Sequence, residues 1–323
     1  MGTIVVITGP TGVGKTELCL TIAEHYGVDI INADSRQIYA EIPIGTAAPT
    51  AMQMQRVYHH FVGTHQVGDY YSASMYEQEA LALIDKLAKD TPQGKPIAIM
   101  SGGSMMYIDA ACNGIDDIPT IREDIRLRMK QRLEDEGLDS LVSELRTLDP
   151  DHWATVDRSN PRRVLHALEV CHQTGSTYTS FRTGKKKQRP FGIVKIGLTR
   201  DTVAKIRRGQ VIMDHTALYD RINARVLQMV EQVLVDEARS VLPFRSEKAL
   251  DTIGYKELFR YFDGKTTLDE AIRQIQSNSR EYARKQLTWF KKDKDMTWFH
   301  PDQTDKIIDH IESNLYINDL TRQ

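Results

Sequence analysis

The segment Gly9-Pro10-Thr11-Gly12-Val13-Gly14-Lys15-Thr16 has the spacing G-x-x-x-x-G-K-[ST], and its chemistry is phosphate binding. Such a loop aims successive backbone N–H groups and a helix N-terminus at linked phosphates. Lys15 adds a point charge, and the Thr16 hydroxyl is a ligand for Mg²⁺. This predicts a site for a di- or triphosphate without naming the reaction. Asn32-Ala33-Asp34-Ser35-Arg36-Gln37-Ile38-Tyr39 supplies a carboxylate, Asp34, that can hold a cation or accept a proton. Asp34 would equally serve as a cap for the next turn. Ser35 and Gln37 are hydrogen-bonding groups suited to a base edge.

Three further groups are weaker alone. Ser101-Gly102-Gly103-Ser104 permits close approach of a ligand and offers the Ser104 hydroxyl, but any turn before a helix reads the same way. Arg221 and Arg225 share a helix face at i,i+4 and could converge on a pyrophosphate leaving group, or form a solvated basic face. Arg284-Lys285-Gln286-Leu287-Thr288-Trp289-Phe290 sets basic residues beside aromatic ones, which suits nucleic acid, although both aromatics fit a core equally well.

Elements must position these groups. Apolar runs at Thr3–Thr8, Asp29–Ala33, Pro96–Met100 and Ile193–Leu198 predict buried parallel strands, the first three separated by helical patterns near 16–26 and 74–89. That alternation predicts a doubly wound α/β core, in which the strand C-terminal ends and the phosphate loop share one rim. Thr120-Ile121-Arg122-Glu123 reads as a capping box for a helix ended by Gly137; a second helix spans about 138–148, and a third runs from Asn160-Pro161 to Thr174 before Gly175. The expected organisation is a core of residues 1–117 and 191–323 with a helical insertion at 118–190. Beyond the fourth strand the chain reads as mainly helical.

The 323 residues carry a net charge of −2, divided as −9 over residues 1–150 and +7 over 151–323. Solvated surface alone can give such a skew; the alternative is a basic half that meets a polyanion, with Arg162, Arg163, Lys185–Lys187, Arg280 and Arg284 acting together. Three separated cysteines argue against disulfides or zinc, and no run suits a signal peptide or membrane span.

Together, GPTGVGKT at 9–16, NADSRQIY at 32–39, IGTAAP at 44–49, SGGSMMY at 101–107, NPRRVLHALEV at 160–170, LYDRINARV at 218–226, TIGYKEL at 252–258 and RKQLTWF at 284–290 resemble the tRNA dimethylallyltransferases of bacterial type. The resemblance implies a P-loop NTPase-like core that holds dimethylallyl diphosphate rather than hydrolysing ATP. It implies transfer to N6 of the adenosine at tRNA position 37, with Mg²⁺ bound by Thr16. Asp34 would be the general base and Thr11 would lie near the bridging oxygen. Lys15 and Arg221 or Arg225 would neutralise the diphosphate. Asp34, Ser35, Arg36, Gln37, Ser104, Arg126, Arg162, Arg163, His166, Thr252, Gly254, Tyr255, Lys256, Arg280 and Arg284 would meet tRNA. A cytoplasmic monomer is expected. The longer segment Asp201–Ala217 and the Val233-Leu234 pair, where the family has Gly-Leu, depart from the pattern. The alternatives are transfer to a free adenine nucleotide, a small-molecule P-loop kinase, and a non-catalytic RNA-binding ATPase.

Overall fold

The computed structural model describes residues 2–92, 94–207 and 210–320. Contacts divide the chain into two compact units, Met1–Cys112 with Arg189–Gln323, and Asn113–Gln188. The sequence-based cut lay at 117/118 and 190/191; the contacts change hands at 112/113 and 188/189.

In the first unit, strands β1 (Thr3–Thr8), β2 (Ile30–Asn32), β3 (His59–His60), β4 (Ile99–Gly102), β5 (Gly192–Leu198) and β8 (Met296–Phe299) form one sheet in the order β3-β2-β4-β1-β5-β8. Every pairing in it is parallel. Ile4 and Val6 of β1 enter one core, and Val5 and Ile7 enter the other. A strand buried on both faces needs an unbroken apolar run, which is why β1 is plain in the sequence. The helices are α1 (Lys15–Tyr26), α2 (Pro43–Thr46), α3 (Ala51–Arg56), α4 (Ala73–Asp90) and α5 (Met105–Asn113), then α11 (Thr216–Glu231), α12 (Leu234–Ser240), α13 (Tyr255–Phe262), α14 (Leu268–Phe290) and α15 (Thr304–Leu320).

The structure adds to and adjusts the expected elements. The third predicted strand begins later and runs through Ser101 and Gly102, which pair with Ile7 and Thr8 of β1; Gly102 packs its bare Cα against the Ala33 backbone, where a Cβ has no room. After β5 the chain is mainly helical, as expected, with a hairpin that the residues did not announce. Thr202–Arg207 and Gln210–Asp214 form an antiparallel hairpin (β6, β7), so most of the long Asp201–Ala217 segment is strand; Arg208 and Gly209 lie outside the described residues. The edge strands β3 and β8, two and four residues long, are too short to show a pattern.

The second unit is five helices, α6 (Glu123–Glu136), α7 (Leu138–Leu148), α8 (Pro150–Thr155), α9 (Pro161–Thr174) and α10 (Tyr178–Phe181). Ile125, Met129, Leu141, Leu145, Val164 and Leu168 form its own core. The Asn160 side chain accepts from the Arg163 N–H and caps α9, and Gly175 ends that helix in the left-handed region. Thr120 caps nothing: α6 starts at Glu123, and the chain before it is held by Gln173, whose amide accepts from the Arg122 N–H and donates to the Thr120 carbonyl.

Candidate active site

The C-terminal ends of β1, β2 and β4 open onto a cavity of about 1110 Å³. Its walls include Thr11, Lys15, Thr16, Asp34, Ser104 and Arg225. The loop between β1 and α1 turns sharply at Gly12 (φ +79°), where a Cβ would lie 2.8 Å from Ile222 Cγ1 of α11. The glycine thus lets α11 pack directly on the phosphate loop. Gly9, Pro10 and Val13 are buried behind that face; the Val13 N–H donates to the Pro10 carbonyl.

Lys15 Nζ donates to the Gly9 and Pro10 carbonyls at 2.8 and 2.9 Å. Burial, with Arg225 nearby, lowers its pKa to about 8, against the opposing pull of Asp34. Helix α11 brings two guanidinium groups to the loop. Arg225 donates to Thr11 Oγ1 at 3.3 Å and Arg221 donates to the Gly12 carbonyl at 3.0 Å. Burial and Arg221 press the Arg225 pKa down, and Asp34 opposes them. Asp34 Oδ1 accepts from the Arg36 and Gln37 N–H groups. The capping and functional readings of Asp34 are therefore compatible: one oxygen holds its own turn while the residue lines the cavity. Ser104 Oγ accepts from the Ser35 N–H and donates to Ser35 Oγ, tying the segments after β2 and β4 together.

The other expected residues separate into groups. Arg36, Gln37, Thr252, Gly254 and Lys256 line the cavity. Gln37 Nε2 donates to the Thr46 and Ala47 carbonyls, giving the segment IGTAAP a place on the cavity wall. Tyr255 is placed otherwise than expected: it is fully buried, and its hydroxyl donates to Glu237 at 2.6 Å, so it presents no surface to the cavity. Arg280 donates to Asn223 and Arg284 to Tyr219, both on α11. Arg126, Arg162, Arg163 and His166 belong to the helical unit, where His166 sits 3.5 Å from Glu169. Of the two aromatics, Phe290 is core and Trp289 is exposed, donating to Asp109.

Sequence reasoning missed four contributors. Arg200, immediately after β5, donates to the Val13 carbonyl at 2.8 Å. Glu237 accepts from the Ile44 and Gly45 N–H groups and holds α2. Tyr282 and Gln286 line the cavity from α14. The spacing Ile275, Ser279, Tyr282, Gln286, one face of a helix, was the available signal for the last two.

A parallel sheet whose first strand ends in a glycine loop, faced by a carboxylate and two arginines, defines a P-loop NTPase-like α/β fold. The family model described as IPP transferase matches residues 37–293, and the chain belongs to that family. A tRNA dimethylallyltransferase of Phocaeicola vulgatus is 55% identical over 96% of this chain and 98% of its own length. One from Bacteroides thetaiotaomicron is 53% identical over 96% of each. Among solved structures, a full-length tRNA isopentenylpyrophosphate transferase of Bacillus halodurans is similar with a TM-score of 0.69 and 32% identity, covering 100% of both chains.

Proposed function

We propose that the protein transfers the dimethylallyl group of dimethylallyl diphosphate to N6 of the tRNA adenosine just 3′ of the anticodon. The observation that carries this reading is the convergence of Asp34, Lys15, Thr11 and Arg225 on one cavity, in a chain so close to named tRNA dimethylallyltransferases. The diphosphate lies along the loop from Gly9 to Thr16, with Lys15, Arg221 and Arg225 facing its charge. The adenine N6 attacks the first carbon of the prenyl group, forming the N–C bond as the C–O bond breaks. Diphosphate leaves with the electron pair, and Asp34 accepts the N6 proton. Preorganised cations lower this barrier because negative charge grows on the leaving oxygen. The adenine must leave its stack to reach the cavity, at a cost of a few kcal/mol that a loop nucleotide keeps small.

The residues present fit Mg²⁺. Thr16 offers an exposed hydroxyl on the cavity wall, and the other ligands would be substrate oxygens and water, a common magnesium arrangement. The ion would add neutralising charge at the diphosphate. No helix among the described residues is long and apolar enough to cross a membrane; action on tRNA in the cytoplasm as a monomer completes the reading.

The test is incubation of the protein with unmodified tRNA, labelled dimethylallyl diphosphate and Mg²⁺. Label on that adenosine without added ATP is expected. Label transferred to free adenine nucleotide instead, or an absolute ATP requirement, overturns the reading.

A further inference from the structure

Gln286 is almost fully buried in α14, 275 residues along the chain from the loop it touches. Its Oε1 accepts from the Thr11 N–H at 2.8 Å, and its Nε2 donates to the Gly103 carbonyl at 2.8 Å. Each partner fixes the amide's orientation, since a backbone N–H can only donate and a carbonyl can only accept. Gly103 leaves room for it: a Cβ there would stand 2.5 Å from Nε2. One side chain therefore clasps the phosphate loop to the segment that follows β4. The clasped residue, Thr11, also receives the Arg225 guanidinium on its hydroxyl.

We infer that Gln286 is a positioning residue for the diphosphate, holding Thr11 and through it Arg225 in register with the substrate. This rests on the proposed function for the identity of the prenyl donor, but not for the presence of a diphosphate. A carboxamide suits the task better than a carboxylate. It satisfies a donor and an acceptor at once, whereas Glu would turn a negative oxygen toward both the Gly103 carbonyl and the bound anion. The backbone consequence is equally direct. Freed from Gln286, the half-buried Thr11 N–H would lose its partner, and nothing on α14 would hold the loop to the segment after β4.

The experiment measures inorganic diphosphate binding by calorimetry on the full chain, beside prenyl transfer to tRNA. Gln286→Met, similar in volume but unable to bridge, should weaken diphosphate binding about tenfold while tRNA binding stays within twofold. Gly103→Ala, which pushes the amide aside, should reproduce that loss. Gln286→Glu keeps the acceptor and, when protonated, regains a donor. Burial beside the Gly103 carbonyl favours the neutral acid at this site, so its deficit relative to the parent at the same pH should be largest at pH 8 and shrink toward pH 6. A merely structural role would move thermal stability without that pH-dependent rescue. Parental diphosphate affinity in both Gln286→Met and Gln286→Glu, or a Gln286→Glu deficit flat with pH, overturns the inference. If the parent binds diphosphate but does not prenylate tRNA, the proposed function fails while the clasp stands or falls on the binding data alone.

Discussion

The phosphate rim and the helical unit are organised by opposite means. At the rim, groups from β1, β2, β4, α11 and α14 meet through single hydrogen bonds that span most of the chain, such as Arg225 to Thr11 and Thr11 to Gln286. The helical unit is closed over shorter stretches of chain: its core comes from α6, α7 and α9, Gln173 reaches back only to Arg122 and Thr120, and surface pairs such as Arg132–Glu136 lie one turn apart. The rim therefore concentrates desolvated charge where one atom's displacement matters, while the helical unit spreads modest contributions over solvated surface. Substitutions should reveal that difference in both size and kind.

The largest effect belongs at the rim. Asp34→Asn keeps shape and removes basicity, so kcat should fall by roughly 10²–10⁴ with tRNA binding retained; near-normal single-turnover rates would overturn the proposed role of Asp34 as base. In the helical unit the largest expected effect is on stability. Leu145→Ala deletes a fully buried side chain and should cost about 2–5 kcal/mol, seen as lost hydrogen-exchange protection across Asn113–Gln188 with diphosphate affinity kept. Loss of diphosphate binding in that variant would break the contrast.

Acidity sharpens it further. Lys15 is lowered from 10.5 to about 8 in the fold, so its charge is lost as pH rises through about 8 and donor capture, kcat/KM, should fall there. Lys15→Arg should hold its plateau above that point. The linked effect on stability has the other sign: between about 8 and 10.5 the unfolded chain binds the extra proton, so this group's burial costs less as pH rises. In the helical unit, replacing Lys185, Lys186 and Lys187 with Ala should only shallow the salt dependence of tRNA binding, by about one log–log unit or less per phosphate contact. An unchanged slope would place that loop outside the footprint. The smallest effect is expected at Val233, a β-branched residue held at φ +67° before α12. Val233→Gly should raise the unfolding free energy by about 1 kcal/mol, read by chemical denaturation, because glycine adopts that backbone without strain.

The same contrast explains what the residues disclosed before any coordinates. Asn160, Pro161 and Gly175 announced α9 because capping is local, and Ile4–Ile7 announced β1 because burial on both faces leaves no polar position. Gln286 gave no such sign: its role depends on partners brought near only by the sheet. Tyr255 misled because a segment's resemblance does not say which of its side chains face inward. The division of charge at residue 150 misled for a geometric reason, since the cut falls inside the helical unit. That unit, Asn113–Gln188, holds 13 Lys and Arg against 13 Asp and Glu, so the skew between halves is not a skew between folded bodies. Any grip on a polyanion there must come from local placement, not net charge.

The clasp from Gln286 to Thr11 also sets an order of events during synthesis. The phosphate loop leaves the ribosome well before its partners: β5, which flanks β1, follows the whole helical unit, and the helix bearing Gln286 comes later still. A nascent chain that stops short of α14 carries the glycine loop without the side chain that sets it. If the clasp acts as inferred, a product that stops short of α14 should hold diphosphate more weakly than the full chain, so the grip on the prenyl donor tightens only once that helix has been made.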